Sequence, residues 1–100
     1  MFLCKAEDVV EFEPIAVEVE GVGTVAVYFV NGRYRATDDE CTHATASLAD
    51  GMQDGEIIEC PVHGGQFNIL TGEAVKAPCF KRLKTYEVLE DAGSLFLKLE

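Results

Sequence analysis

Glycine-containing turns punctuate this chain, and no piece between them carries the pattern of a long helix. Glycine-containing turn pairs recur at Glu20-Gly21, Asn31-Gly32, Asp50-Gly51, Asp54-Gly55, Gly64-Gly65, Thr71-Gly72 and Ala92-Gly93. Between them lie short runs rich in Val, Ile, Phe and Tyr, and none holds a 3.6-residue apolar period over several turns. That pattern predicts an antiparallel all-β domain. At 100 residues the chain has room for a single domain, 1–100. A core of that size is modest, burying roughly 60–65% of the unfolded surface.

Individual strands are legible. From Ile15 to Glu20 the odd positions are apolar and the later even ones acidic, so one face is buried and one wet. Val25 to Val30 is apolar on both faces, which suits a central strand covered on both sides. Asn31-Gly32 supplies the two positive-φ residues of a type I′ hairpin turn leading into Arg33-Tyr34-Arg35-Ala36. Lys84 to Leu89 and Leu95 to Leu99 flank Asp91-Ala92-Gly93-Ser94 as a second hairpin, with Leu95, Leu97 and Leu99 facing the core. Phe67, Tyr86 and Phe96 are further core candidates.

Charge narrows the function. Eighteen acids against eight bases leave a net charge of −10. Such a balance lacks the basic footprint that grips nucleic acid or anionic lipid. No apolar run approaches the roughly 20 residues of a membrane span, and Met1-Phe2-Leu3-Cys4-Lys5 lacks the regions of a secretory signal. A cytoplasmic protein is therefore expected.

The middle third, about 40–80, is turn-dense and holds three of the four cysteines and both histidines. Cys41-Thr42-His43 and Cys60-Pro61-Val62-His63 each pair a thiol with an imidazole, with sixteen residues between them. Three readings compete. A disulfide framework accounts for neither histidine and suits an oxidising compartment. A structural Cys₂His₂ zinc site, stabilising an interaction domain, accepts these donors, but its usual loops segregate thiols from imidazoles. A two-iron, two-sulfide cluster with cysteines on one iron and histidines on the other is the Rieske arrangement.

The spacing of these four residues resembles the Rieske [2Fe–2S] pattern. The likeness extends over nearly the whole chain, including Ala36-Thr37-Asp38 before the first loop and Gln66-Phe67-Asn68 and Thr71-Gly72 after the second. It is most similar to the ferredoxin component of bacterial aromatic-ring-hydroxylating dioxygenases of the naphthalene and biphenyl type. The resemblance implies an antiparallel β-sandwich with a small cluster-binding subdomain at about 40–80. It further implies one [2Fe–2S] cluster, with Cys41 and Cys60 on the inner iron and His43 and His63 on the outer iron, near the surface at one tip. The implied role is a one-electron carrier, not an enzyme, between an NAD(P)H-dependent flavoprotein reductase and a terminal oxygenase. A freely diffusing monomer suits that role. The nearest alternative is a Rieske-like small subunit of another oxidoreductase, such as an assimilatory nitrite reductase.

Departures from the high-potential Rieske branch bear on redox poise. Where that branch has two further, disulfide-bonded cysteines, this chain has Ala46 and Val62; where it has hydroxyl donors to the cluster sulfurs, it has Gly65 and Phe67. One hydrogen bond to a charged group is worth roughly 1.5–3 kcal/mol, and about 1.4 kcal/mol corresponds to 59 mV for one electron. Losing two lowers the potential by roughly 100–250 mV, toward about −150 mV at the bottom of the Rieske range. Asp38-Asp39-Glu40, abutting Cys41, pushes the same way. A unit charge ~10 Å away contributes roughly 1.7 kcal/mol at an effective dielectric of ~20, less after screening by salt.

Both histidines being committed, no mononuclear oxygenase iron can be built from this chain, and there is no Gly-x-Gly-x-x-Gly run for a nucleotide. Asp38, Asp39, Glu40, Asp50, Asp54, Glu56 and Glu59 are candidate docking charges for partners. Cys4 and Cys79 read as small buried apolar residues, Pro78 as part of a loop covering the cluster, and Lys81, Arg82 and Lys84 as a solvated edge.

Overall fold

The computed structural model describes residues 1–42 and 45–98. Short strands form wherever the glycine turns allow: β1 (Phe2–Lys5), β2 (Ile15–Val19), β3 (Gly23–Val30), β4 (Arg33–Asp38), β5 (Met52–Asp54), β6 (Ile57–Glu59), β7 (Gln66–Asn68), β8 (Ala74–Lys76), β9 (Thr85–Asp91) and β10 (Ser94–Lys98). Among the described residues the only helical pieces are single 3-10 turns at Ala6–Asp8 and Leu48–Asp50. None is long and apolar enough to cross a membrane. Among the described residues all strand pairings are antiparallel and make two sheets, ordered β1-β10-β9-β4-β3-β2 and β5-β6-β7-β8.

The hairpin turns take the chemistry expected of them. Val30 pairs with Arg33, and between them Asn31 and Gly32 both have positive φ, 51° and 77°. This is the mirror-image turn whose twist matches that of the strands it joins. The second hairpin is tighter than the four residues Asp91 to Ser94 suggest: Asp91 pairs with Ser94, leaving Ala92 (φ 51°) and Gly93 (φ 80°) as the turn. An alanine in that left-handed region costs roughly 1–2 kcal/mol, which the strand pairing offsets. Leu95 and Leu97 are buried as expected, and Leu99 lies outside the described residues.

Strand β3 divides the interior. Its odd residues Val25 and Val27 pack with Leu3, Val9, Ala36, Leu95 and Leu97. Its even residues Ala26, Tyr28 and Val30 enter a separate core with Leu48, Ile58, Phe67, Ile69 and Leu83, which lies between the two sheets. Two-sided burial was expected, but β3 sits beside the edge strand β2 and not at the centre of its sheet. Phe67 is fully buried, while Tyr86 and Phe96 are half-buried. Cys4 is also only half-buried, at the rim of the first core, because β1 is an edge strand.

Tyr28 brings a hydroxyl into the core between the sheets. Thr37 Oγ1 donates to the Asp38 carbonyl at 2.9 Å, so its one proton is committed and the Tyr28 hydroxyl donates to Thr37 Oγ1 at 2.8 Å. Burial holds this phenol neutral well above its usual pKa of 10.0. The unfolded chain therefore loses the phenolic proton first. Stability is intact below pH 10.0 and falls as pH rises beyond it. Tyr28→Phe should cost about 1 kcal/mol at pH 7 in urea unfolding. The variant should lose less stability than the wild type between pH 10 and 11.5; equal losses would contradict the assignment.

Candidate metal centre

Two loops of matching construction rise from the sheets toward one another. Past β4, Glu40 and Ser47 form an isolated antiparallel bridge, and the Cys41 N–H donates to the Ala46 carbonyl at 3.0 Å. Past β6, the Cys60 N–H donates to the Gly65 carbonyl at 2.7 Å before β7 begins. Each cysteine opens a loop sealed by its own amide to the carbonyl five residues on. The mixed thiol–imidazole spacing was visible in the sequence; this shared closure was not.

The cysteines lie at the buried ends of their loops. Cys41 and Cys60 are 3% and 1% exposed, inside the core that holds Tyr28, Leu48, Ile58 and Phe67. The Cys41 side chain lies close enough to act on the Cys60 thiol. Burial, first of all, pushes the Cys60 thiol up, while a hydrogen bond from the Val62 backbone works against it. His63, three positions beyond Cys60, is exposed and has a positive φ of 68°. The fourth expected ligand, His43, lies outside the described residues. No disulfide links the four cysteines, and Ala46 and Val62 are half-buried apolar residues against the core.

A third segment, around Cys79, completes the site. Thr42 Oγ1 donates to the Lys81 carbonyl at 2.9 Å, tying this strap to the first loop. Cys79 is buried, as expected, but it is not a bystander in the core: its Sγ is 3.8 Å from Cys41 Sγ. Burial, with the hydrogen bond and charge of Cys41, pushes the Cys79 thiol up to about 12. Gly65 is what allows the approach, since a Cβ there would collide with Cys79 Sγ. The sequence held one clue to this role, a third thiol in the same turn-dense third as the two mixed clusters.

The acids near these loops divide by structure. Asp39 is buried, 6% exposed; its Oδ1 accepts the Ala49 N–H at 3.0 Å and its carbonyl accepts the Leu48 N–H at 2.7 Å. It anchors the first loop, so its expected docking role is overturned. Asp38 accepts the Tyr86 hydroxyl at 2.6 Å, Glu56 the Asn68 side-chain amide at 2.9 Å and Glu59 that of Gln66 at 3.0 Å. Glu40, Asp50 and Asp54 are exposed. Lys81, Arg82 and Lys84 are exposed too, with Arg82 3.8 Å from Glu73 and Lys84 Nζ 5.2 Å above the Tyr86 ring.

Comparison with known proteins agrees with this construction. The family model of the Rieske [2Fe-2S] domain matches residues 1–87. The ferredoxin component of the naphthalene 1,2-dioxygenase/salicylate 5-hydroxylase systems of Ralstonia sp is 40% identical over 94 residues, spanning 94% of this chain and 89% of that one. Among solved structures, the Sphingomonas yanoikuyae B1 ferredoxin superposes with a TM-score of 0.95 at 45% identity, covering 100% of this chain and 98% of that one. A chain from the complex of reduced oxygenase and oxidized ferredoxin in carbazole 1,9a-dioxygenase superposes with a TM-score of 0.91 at 39% identity, covering 98% of this chain and 100% of that one.

The seat of Cys79 against Gly65 can be tested by crowding it. Gly65→Ala should destabilise the fold by roughly 1–3 kcal/mol, the usual cost of an added group in a packed interior. Cys79→Ala in the same chain should relieve part of that loss. Urea unfolding of both single variants and the double variant measures the coupling; strictly additive losses would mean the two residues do not press on each other.

Proposed function

The chain belongs to the Rieske [2Fe–2S] domain family, and from that premise we propose that it is a one-electron carrier, the ferredoxin component of an aromatic-ring-hydroxylating dioxygenase system. We assign Cys41, His43, Cys60 and His63 to a single [2Fe–2S] cluster. The observation that carries this reading is the pair of buried cysteines in one core, each heading a loop of the same construction, with an exposed imidazole in the second loop. Two soft thiolates inside and imidazoles outside are the donor set that such a cluster requires. Held by these residues, such a cluster would supply one-electron transfer with no atom transferred.

The chain's own groups shape that site. The core around Tyr28, Leu48 and Phe67 keeps water from the thiol end. The Val62 amide bonds Cys60 sulfur and favours its thiolate. Residues about 40–80, carried by the four-stranded sheet and its loops, act as the cluster-binding part of one domain spanning 1–100. His63 marks the side open to partners. Those partners are a flavoprotein reductase and a terminal oxygenase; a ferredoxin–oxygenase complex of a similar protein supports the second. A monomer in the cytoplasm suits such a shuttle. Glu40, Asp50 and Asp54 are the charges free to steer encounters, so transfer from the reductase should slow as ionic strength rises.

A low potential follows from the same groups. Gly65 and Phe67 offer no hydroxyl to the cluster sulfurs. Asp39 keeps a carboxylate buried two residues from Cys41, where salt screens it less than an exposed acid.

Anaerobically purified protein should hold two irons and two acid-labile sulfides per chain and become paramagnetic on reduction. His63→Ala should abolish this cluster or its electron transfer; normal turnover by that variant contradicts the assignment. The midpoint potential should lie near about −150 mV, and a value above about +100 mV overturns the low-potential reading. Asp39→Asn keeps an acceptor for the Ala49 amide but removes the charge. It should raise the potential, by about 70 mV for a unit charge ~10 Å away at an effective dielectric of ~20, the equivalent of ~1.7 kcal/mol.

A further inference from the structure

Cys79 has no place among the four assigned ligands, yet it is the residue whose thiol lies against one of them. We propose that Cys79 is a positioning residue for the redox reaction: its S–H donates a hydrogen bond to Cys41 Sγ and holds the potential above the value the remaining donors would set. This rests on the assignment of Cys41 as a cluster ligand.

The geometry supplies three parts of the case. The two sulfurs are 3.8 Å apart, and both residues are nearly inaccessible to solvent, at 3% for Cys41 and 4% for Cys79. A ligating cysteine is a thiolate and has no proton to give, so within the loaded protein the donor in this pair is Cys79. The thiol is also held in place from two sides. On one, it occupies the space where a side chain at position 65 would otherwise stand. On the other, the strap that carries it is pinned by the bond from Thr42 Oγ1 to the Lys81 carbonyl at 2.9 Å. Thr42 directly follows Cys41, so the ligand and its donor are tied together through backbone as well as through sulfur.

The consequence for redox poise has a definite sign. Reduction adds negative charge to the cluster and its sulfur ligands, and a hydrogen bond to such a sulfur stabilises the reduced form. A thiol is a weak donor, but burial strengthens what it gives, because little water competes. With Gly65 and Phe67 unable to supply hydroxyls, the Cys79 thiol is a donor that the ligand loops themselves do not contain. Its loss should shift the oxidised-to-reduced ratio about threefold to tenfold toward the oxidised form, which is about 28–59 mV at 59 mV per decade for one electron.

The test compares wild type, Cys79→Ala and Cys79→Ser, each loaded with its cluster and titrated under the same pH and salt while the reduced signal is followed by electron paramagnetic resonance. Iron and labile sulfide are counted first; a wild type without them overturns the cluster assignment and this inference together. With clusters present, the alanine variant should have the lower potential, and the serine variant, which restores a stronger donor, should match or exceed wild type. Alanine and serine shifting alike, or neither shifting, overturns the proposal, since a packing effect does not distinguish the two in that direction. If the alanine variant fails to hold its cluster, serine against wild type decides: a serine potential below wild type overturns the hydrogen bond.

Discussion

A single strand with no polar face organises this molecule. β3 sends Val25 and Val27 into one core and Ala26, Tyr28 and Val30 into another, so the six-stranded sheet is covered on both sides at that point. The second core fills the space between the sheets, and Cys41, Cys60 and Cys79 are part of it. The thiol end of the site is therefore continuous with the apolar interior. Movement of the four-stranded sheet against β3 would be felt at the sulfurs, because close-packed interiors transmit displacement.

The two cysteine loops show how little chain is needed once such a base exists. Each begins at a buried cysteine and is sealed by one amide–carbonyl bond, at 3.0 Å for Cys41 to Ala46 and 2.7 Å for Cys60 to Gly65. Closure fixes the thiol end and leaves His63 at the surface. A carrier needs this asymmetry: one side dry and rigid, so that little reorganises when charge changes, and one side exposed to partners. The strap through Cys79 closes the remaining side, and the absence of a side chain at Gly65 is what gives its thiol room.

Acidity has two separate origins here. Asp39 is buried and holds the 3-10 turn at Leu48–Asp50 against the end of β4. Asp38, Glu56 and Glu59 accept hydrogen bonds from Tyr86, Asn68 and Gln66. Only a subset of the acids around the loops, Glu40, Asp50 and Asp54, is left exposed to solvent. A net charge of −10 thus overstates the charge available for recognition near the site, since part of it serves as internal structure.

Much of the fold was legible because its rules are local. Positive φ at Asn31 and Gly32, alternation along Ile15 to Val19 and two-sided apolarity in Val25 to Val30 act over a few residues, and each reappears in the strands. The thiol–imidazole pairs were legible for the same reason, as they are spacings within one loop. Contacts between distant segments were not. Nothing in the row of letters distinguishes Asp39, buried as an anchor, from its exposed neighbour Glu40. Nor does it reveal that Cys79 reaches across 38 positions to the sulfur of Cys41, or that Gly65 lacks a side chain for the sake of that thiol. Turn chemistry, strand period and donor identity belong to the sequence because they depend on neighbours along the chain. Burial, and hence which acid is structural and which thiol touches which, was decided by how two sheets pack, because that alone sets the distances between segments far apart in the chain.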